Sequence, residues 1–205
     1  MTASATLLAL GTATLIEAWP STRLIAAPLH PIAPGMTVAG PALTVRCQPG
    51  DNLALHLAIA AARPGDVLVV DYGGSLESGP FGEIMALACQ MRGLAGMVID
   101  GAIRDSVQIS TLGFPVFARG RNIRGTVKQD PGQIGGTIHI GGAPVANGDV
   151  VLADADAIVA IDPADLPAAL AAAQARAARE TIIMDRLRQG ETTLAILGLK
   201  QGDRA

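Results

Sequence analysis

Apolar residues recur at helical spacing near the start of the chain, at Leu7, Leu8, Leu15 and Ile16, until the Pro20-Ser21 step interrupts them. This predicts a helix over 5–18. From Pro28 to Gly50, proline and glycine alternate with short β-branched runs, Thr37-Val38-Ala39 and Ala42-Leu43-Thr44-Val45, the pattern of short strands and turns. The run DNLALHLAIAAA predicts a second helix with Asp51 as N-cap and Pro64-Gly65 as its stop. The middle of the chain then uses one arrangement twice: an unbroken apolar run ending in Asp, followed by a glycine-containing loop. The first run, VLVV, ends at Asp71 and leads through YGGSLESGPFG to the helical EIMALACQM; the second, MVI, ends at Asp100 and leads to Gly101-Ala102-Ile103-Arg104-Asp105. Apolar runs without alternation indicate strands covered on both faces, so these segments read as strand-helix-strand units with loops at the strand ends. FPVFARG is a further short strand, and residues 125–161 carry strand-like runs with Gly, Asn and Asp turns and no helical period. From Asp162 to Gly190 an Ala-rich stretch predicts one long helix or two joined ones, with Asp162-Pro163 as N-cap and N1. Its small-residue face and its charged face suit packing on a neighbouring copy as well as on its own sheet.

Composition narrows the class. The 205 residues suit a single domain over 1–205, and with 50% hydrophobic and 16% charged residues the chain buries enough surface to fold. Mean hydropathy is positive. Even so, Gly, Pro or a charge breaks each apolar stretch short of the roughly 20 residues a spanning helix needs. Aromatics make up 2% and net charge is −3, so base stacking and attraction to a phosphate backbone or an anionic membrane are both disfavoured. The amino terminus has no basic n-region and Glu17 follows its apolar stretch, which argues for a cytoplasmic protein. Cys47 and Cys89 have no CxxC spacing and read as buried small hydrophobes.

Candidate chemistry concentrates between residues 71 and 105. In YGGSLESGPFGE, Gly73, Gly74, Gly79 and Gly82 allow sharp turns and close approach to a ligand, and the following helix directs free N–H groups back into the loop, as an anion site requires. Neither GxxxxGK[ST] nor a GxGxxG between strand and helix is present, so a carboxylate is favoured over a nucleotide phosphate. Arg104 and Asp105 follow the end of a buried strand. A guanidinium there can hold a carboxylate or enolate oxygen, and the adjacent carboxylate can hold Mg²⁺ or Mn²⁺. In isolation such a pair reads as solvated surface charges. The lysines Lys128 and Lys200 lie away from this cluster, one in a β-rich turn region and one near the tail. His30, His56 and His139 are dispersed without ligand spacing, Asp71 and Asp100 end strands and can orient the loops, Asp154 and Asp156 read as turn residues, and GxSxG is missing.

The step from Gly82-Glu83 across 20 residues to Arg104-Asp105 resembles the signature of the RraA-like family, within it the 4-hydroxy-4-methyl-2-oxoglutarate and 4-carboxy-4-hydroxy-2-oxoadipate aldolases. The likeness extends to GPALTVRCQPGDNLALHLAIAAARPGDVLVVD, GMVIDGAIRD, FPVFARG, GDVVLADADAIVAI and ILGL, most of residues 35–200. The resemblance implies an α/β fold of the swivelling β/β/α type, a homotrimer or hexamer with the site at a subunit interface, and a metal-dependent pyruvate aldolase with oxaloacetate decarboxylase side activity. It implies Asp105 as protein ligand of Mg²⁺ or Mn²⁺, Arg104 as the group that binds substrate and stabilises the enolate, and Glu83 as holder of metal-bound water. Backbone amides near Gly82, Glu83, Ile84 and Met85 would receive the pyruvoyl carboxylate, and Glu180 is the positional match for a carboxylate from the adjacent subunit. Glu83 stands where many members have Asp. The alternative within the same family is a non-enzymatic, protein-binding regulator of a ribonuclease; that branch replaces the acidic residue after the Arg, whereas Asp105 is present here. Some members carry a demethylmenaquinone methyltransferase label, yet no glycine motif with an acidic ribose partner supports S-adenosylmethionine binding.

Overall fold

In the computed structural model, which describes residues 2–199, the chain begins with helix α1 (Ala3–Ala18), capped by the Thr2 hydroxyl accepting from the Ala5 amide. Gly11 interrupts it with left-handed φ and extended ψ, a break the apolar spacing does not announce. The second half of α1 therefore has its own start, and the Asp154 carboxylate caps it, accepting from Thr12 N–H at 2.8 Å and from the Thr12 hydroxyl at 2.7 Å. Lys200 lies outside the described residues.

Short strands β1 (Arg23–Leu24) and β2 (His30–Pro31) precede β3 (Val38–Arg46), which runs unbroken through the two short strands expected there. Gly40-Pro41 does not end it, because β3 changes partners at that point. Residues 38–41 pair antiparallel with β10 (Val150–Ala153), whereas residues 42–46 pair parallel with β4 (Val67–Asp71). Between them, α2 (Leu53–Ala61) begins two residues after Asp51 with Asn52 at its N-cap position. Asp51 still bonds the Leu53 amide at 2.8 Å, but its carboxylate also accepts from Gln129 and Asp130 and ties α2 to that distant segment.

The remaining elements follow in order: α3 (Glu83–Met91), β5 (Gly96–Ile103), α4 (Ser106–Leu112), β6 (Val116–Arg121), β7 (Gln133–Ile134), β8 (Thr137–Ile140), β9 (Ala143–Ala146), then β10, β11 (Ile158–Ile161), α5 (Leu166–Arg188) and α6 (Thr193–Leu197). The main sheet has the order β1-β11-β10-β3-β4-β5-β6-β2, with β7 on the end of β3, and β8-β9 form a separate hairpin. The β-rich reading of residues 125–161 holds.

Three apolar clusters explain the sequence pattern. On one face of the parallel strands, Leu68, Val70, Met97 and Ile99 pack with Leu55 of α2, Ala86 and Cys89 of α3 and Ile109 of α4. On the other face Val67, Val69, Val98 and Phe117 meet Ile138, Ile140 and Val145 of the hairpin. Both faces are covered, so the strands read as continuous apolar runs. The third cluster joins α1 and α5 to the antiparallel strands through Leu7, Leu15, Leu152, Val159, Ala169 and Ala173. The small-residue face of α5 is thus taken up by α1 within the chain. That helix starts at Leu166, with Asp165 at the N-cap position and a proline in its first turn, while Asp162-Pro163 forms the preceding turn. Cys47 and Cys89 are buried, and burial pushes both thiols up to about 12, so each behaves as a small hydrophobe. No helix among the described residues is long and apolar enough to cross a membrane.

Burial alone would raise the Asp154 carboxyl, but hydrogen bonds from both donors of Thr12 and from the Asp156 and Ala157 amides outweigh it and hold the carboxyl below its ordinary 3.8. A carboxyl lowered by folding contributes stability above its unfolded value and loses it as pH falls through the folded one. Asp154→Ala is expected to lower the thermal midpoint at pH 7 by about 2–6 °C, with the gap from the parent narrowing below about pH 4. A gap that stays constant on acidification would contradict this assignment.

Candidate active site

The site forms at the carboxyl ends of β4 and β5, where the loops after two parallel strands converge. Tyr72 anchors the first loop: its buried hydroxyl accepts from the Gly50 amide at 2.7 Å and shares a 2.8 Å hydrogen bond with Ser78. Phe81 fixes the far end of that loop in the core, stacked on Phe114 at 6.3 Å. Between these anchors, Asn52 donates to the Pro80 carbonyl at 2.8 Å and the Gly79 amide donates to the Arg124 carbonyl at 2.9 Å. The N-terminus of α3 is therefore held from three directions.

The second loop docks against it. The Arg104 amide donates to the Phe81 carbonyl at 2.9 Å, and Asp105 Oδ2 accepts from the Glu83 amide at 3.1 Å. Arg104 Nε lies 3.6 Å from the same oxygen. Gly82 is required by this approach, since a Cβ there would stand 2.4 Å from Asp105 Oδ2 and 2.9 Å from Arg104 Nε. Asp105 has φ 56° and ψ 36°, the left-handed region, and is the one non-glycine with positive φ among the described residues. Left-handed backbone costs a residue with Cβ about 1 kcal/mol, and such strain persists where the surroundings over-determine it. Here the Glu83 amide and the positive end of α3 hold the carboxylate.

Gly82, Glu83, Ile84, Met85, Arg104 and Asp105 are thus brought together. The Glu83 carboxylate and Ile84 side chain are exposed, while the Met85 side chain is buried beneath the helix. Of the three amides, that of Glu83 is taken by Asp105 and that of Met85 by the Gly82 carbonyl at 3.1 Å; the Ile84 amide makes no hydrogen bond among the described residues. Glu180 lies apart, on α5, 2.9 Å from Arg176, which also pairs with Glu17 of α1. His30, His56 and His139 are scattered and exposed, and Lys128 is exposed on the segment that Asp51 holds.

Among the described residues no three His, Cys, Asp or Glu side chains converge on a metal position. The donor set at the loop is one oriented carboxylate, 41% exposed, with Oδ1 making no hydrogen bond among the described residues. That set fits Mg²⁺ or Mn²⁺, ions that keep most of their waters and need one or two carboxylates.

Sequence reading missed three groups. Asn52, nine-tenths buried, leaves its amide oxygen without a partner below the α3 loop. Asn122 bridges the two loops, donating from its side chain to Leu76 and from its backbone to Ile103. Arg119 pairs with Asp100. Nothing in the chain marks Asn52 or Asn122, and the pairing of Arg119 with Asp100 follows from a strand register that the sequence does not print.

An α/β sheet curled by a strand that changes partners, with a Gly-Glu and an Arg-Asp meeting at its parallel edge, defines the class. Residues 12–160 match the RraA-like family, described as Aldolase/RraA, and the chain belongs to that family. A Halalkalibacterium halodurans protein named "Putative 4-hydroxy-4-methyl-2-oxoglutarate aldolase" is 39% identical over 133 residues, 65% of this chain and 63% of that protein. The match therefore spans less than two thirds of that relative's length. A Geobacillus kaustophilus HTA426 structure named as an S-adenosylmethionine: 2-dimethylmenaquinone methyltransferase aligns with TM-score 0.71 and 31% identity, over 75% of this chain and 97% of its own. The structure of the RNA-processing inhibitor RraA from Thermus thermophilis aligns with TM-score 0.69 and 25% identity, over 74% and 92%. The expected fold is borne out.

Two substitutions test the geometry. Gly82→Ala is expected to drive the Asp105 carboxylate off the Glu83 amide, and a crystal structure of the variant with that contact intact would contradict the close approach. Asp105→Gly is expected to be more stable than Asp105→Ala by about 1 kcal/mol, because only glycine occupies left-handed backbone freely. Urea denaturation giving the two equal stability would rule out the strained conformation.

Proposed function

We propose that this chain is a divalent-metal-dependent pyruvate aldolase that cleaves a 4-hydroxy-2-oxo acid, such as 4-hydroxy-4-methyl-2-oxoglutarate, to pyruvate and an oxo-acid. Decarboxylation of oxaloacetate, which passes through the same pyruvate enolate, is the expected side activity. The observation that carries the reading is the meeting of Arg104 and Asp105 with the first turn of α3, which sets a guanidinium, an oriented carboxylate and the Ile84 amide around one exposed position. Family membership and the name of the Halalkalibacterium relative support it.

In this reading the Ile84 amide and Arg104 receive the substrate carboxylate and the C2 oxygen. Cleavage breaks the C3–C4 bond and leaves its electron pair as the enolate of pyruvate, with negative charge on the C2 oxygen facing Arg104. The C4 hydroxyl gives up its proton and becomes the carbonyl of the released oxo-acid; C3 takes up a proton to complete pyruvate. Mg²⁺ or Mn²⁺ held by Asp105 would supply Lewis-acid stabilisation of charge on substrate oxygen. Glu83 orients water beside these atoms. Glu180 would come from an adjacent copy in a homotrimer or hexamer, an assembly supported by the exposed Ile84, Val107 and Ile123 around the site.

Pyruvate release coupled to lactate dehydrogenase tests the reading, with 4-hydroxy-4-methyl-2-oxoglutarate and oxaloacetate, each with Mg²⁺, Mn²⁺ or EDTA. The expected result is metal-dependent turnover that Asp105→Ala lowers by about 100- to 1000-fold. Turnover no greater than that of Asp105→Ala would overturn the aldolase reading and favour the ribonuclease-binding regulator.

A further inference from the structure

Strand β5 reaches the site through a bulge of one residue. Ile99 pairs with Ala118, but the next pairs are Ala102 with Gly120 and Ile103 with Arg121, so Asp100 and Gly101 together face the single residue Arg119. Without the extra residue Ile103 would stand opposite Asn122, and a slip of one turns every following side chain to the other face. The direction in which Arg104 and Asp105 leave the strand is therefore decided at the bulge.

Several contacts hold it. The carboxylate of Asp100, which is 7% exposed, pairs with the guanidinium of Arg119. The Asp100 carbonyl accepts from the Gly74 amide at 2.9 Å, and the Ala102 amide donates to the Ser75 carbonyl at 3.1 Å. Gly101 lies against Tyr72, whose ring a Cβ would meet at 2.7 Å. Asp100 also stands in register beside Asp71, a second carboxylate, whose own partner is Arg46 at 3.5 Å. Two like charges at one level of a sheet repel, so Asp100 depends on Arg119 to stay where it is. Bulges beside active sites commonly re-aim a side chain.

We propose that the Asp100–Arg119 ion pair is a positioning device, locking the β5 bulge so that Arg104 and Asp105 meet the N-terminus of α3. The proposal rests on reading Arg104 and Asp105 as the reacting pair, but its test does not depend on turnover. Amide hydrogen exchange is compared between the parent and Asp100→Asn, at the Glu83 and Arg104 amides, which bond to Asp105 and Phe81, and at Leu68 and Val69 of β4.

The expected result is exchange about tenfold faster at Glu83 and Arg104, with the β4 amides within about twofold of the parent. Arg119→Lys, which keeps the charge without the planar fork, should give an intermediate change, and it decides the question if Asp100→Asn does not fold. For the aldolase, Asp100→Asn should lower kcat by about tenfold while KM stays within about threefold. Unchanged exchange at Glu83 and Arg104, or a rise shared equally with β4, would overturn the positioning role. Localised exchange in a chain without pyruvate release would uphold that role and remove the aldolase reading instead.

Discussion

Strand β3 carries two pairings that one straight ladder cannot, antiparallel to β10 on its first half and parallel to β4 on its second. The change is possible because Gly40 brings its backbone against the Gly65 carbonyl, where a Cβ would stand at 2.3 Å. Pro41, lacking a donor, falls at the hand-over between ladders. Everything downstream uses this arrangement. The antiparallel strands give α1 and α5 a surface to pack on, and the parallel strands present their carboxyl ends together at the opposite end of β3. The loops that form the site can meet only because β4 and β5 are parallel neighbours.

Carboxylates act in this sparsely charged chain mainly as organisers of backbone. Asp51 gathers the Leu53, Gln129 and Asp130 amides, Asp149 holds the Ala146 amide and Arg23, and Asp154 caps the second half of α1. Each satisfies donors that lie far apart in sequence or that a broken helix leaves free. Asp105 follows the same logic at the Glu83 amide and, like Asp149, makes its contacts through Oδ2 alone. Asp149 is buried, whereas the Asp105 side chain is 41% exposed.

The loop geometry also explains how a solvated-looking Arg-Asp pair acquires order. Arg104 and Asp105 are both about two-fifths exposed, yet the Arg104 amide and one Asp105 carboxylate oxygen are bonded to the Phe81-Glu83 segment. That segment is pinned by Phe81 in the core and by Asn52 from below. Preorganisation comes from the buried anchors, and exposure leaves the polar ends available to a ligand.

Much of the architecture was legible from local pattern. The buried strand VLVV, helix α3 and the β-rich 125–161 stand where apolar periodicity and turn residues put them, and MVI is a buried strand too, but β5 does not end at Asp100: it runs on to Ile103 because Ala102 and Ile103 keep pairing with β6 beyond the irregularity at Asp100-Gly101. The features that match are written in neighbouring residues, so one sequence suffices. What it left open are properties of contact between distant segments: the unbroken β3, the break of α1 at Gly11 with its cap from Asp154, the start of α5 at Leu166, the left-handed Asp105 and the partnership of Asp100 with Arg119. A strand's partner, a remote cap and a strained backbone angle carry no local signature, because the energy that selects each comes from atoms the tertiary structure brings alongside.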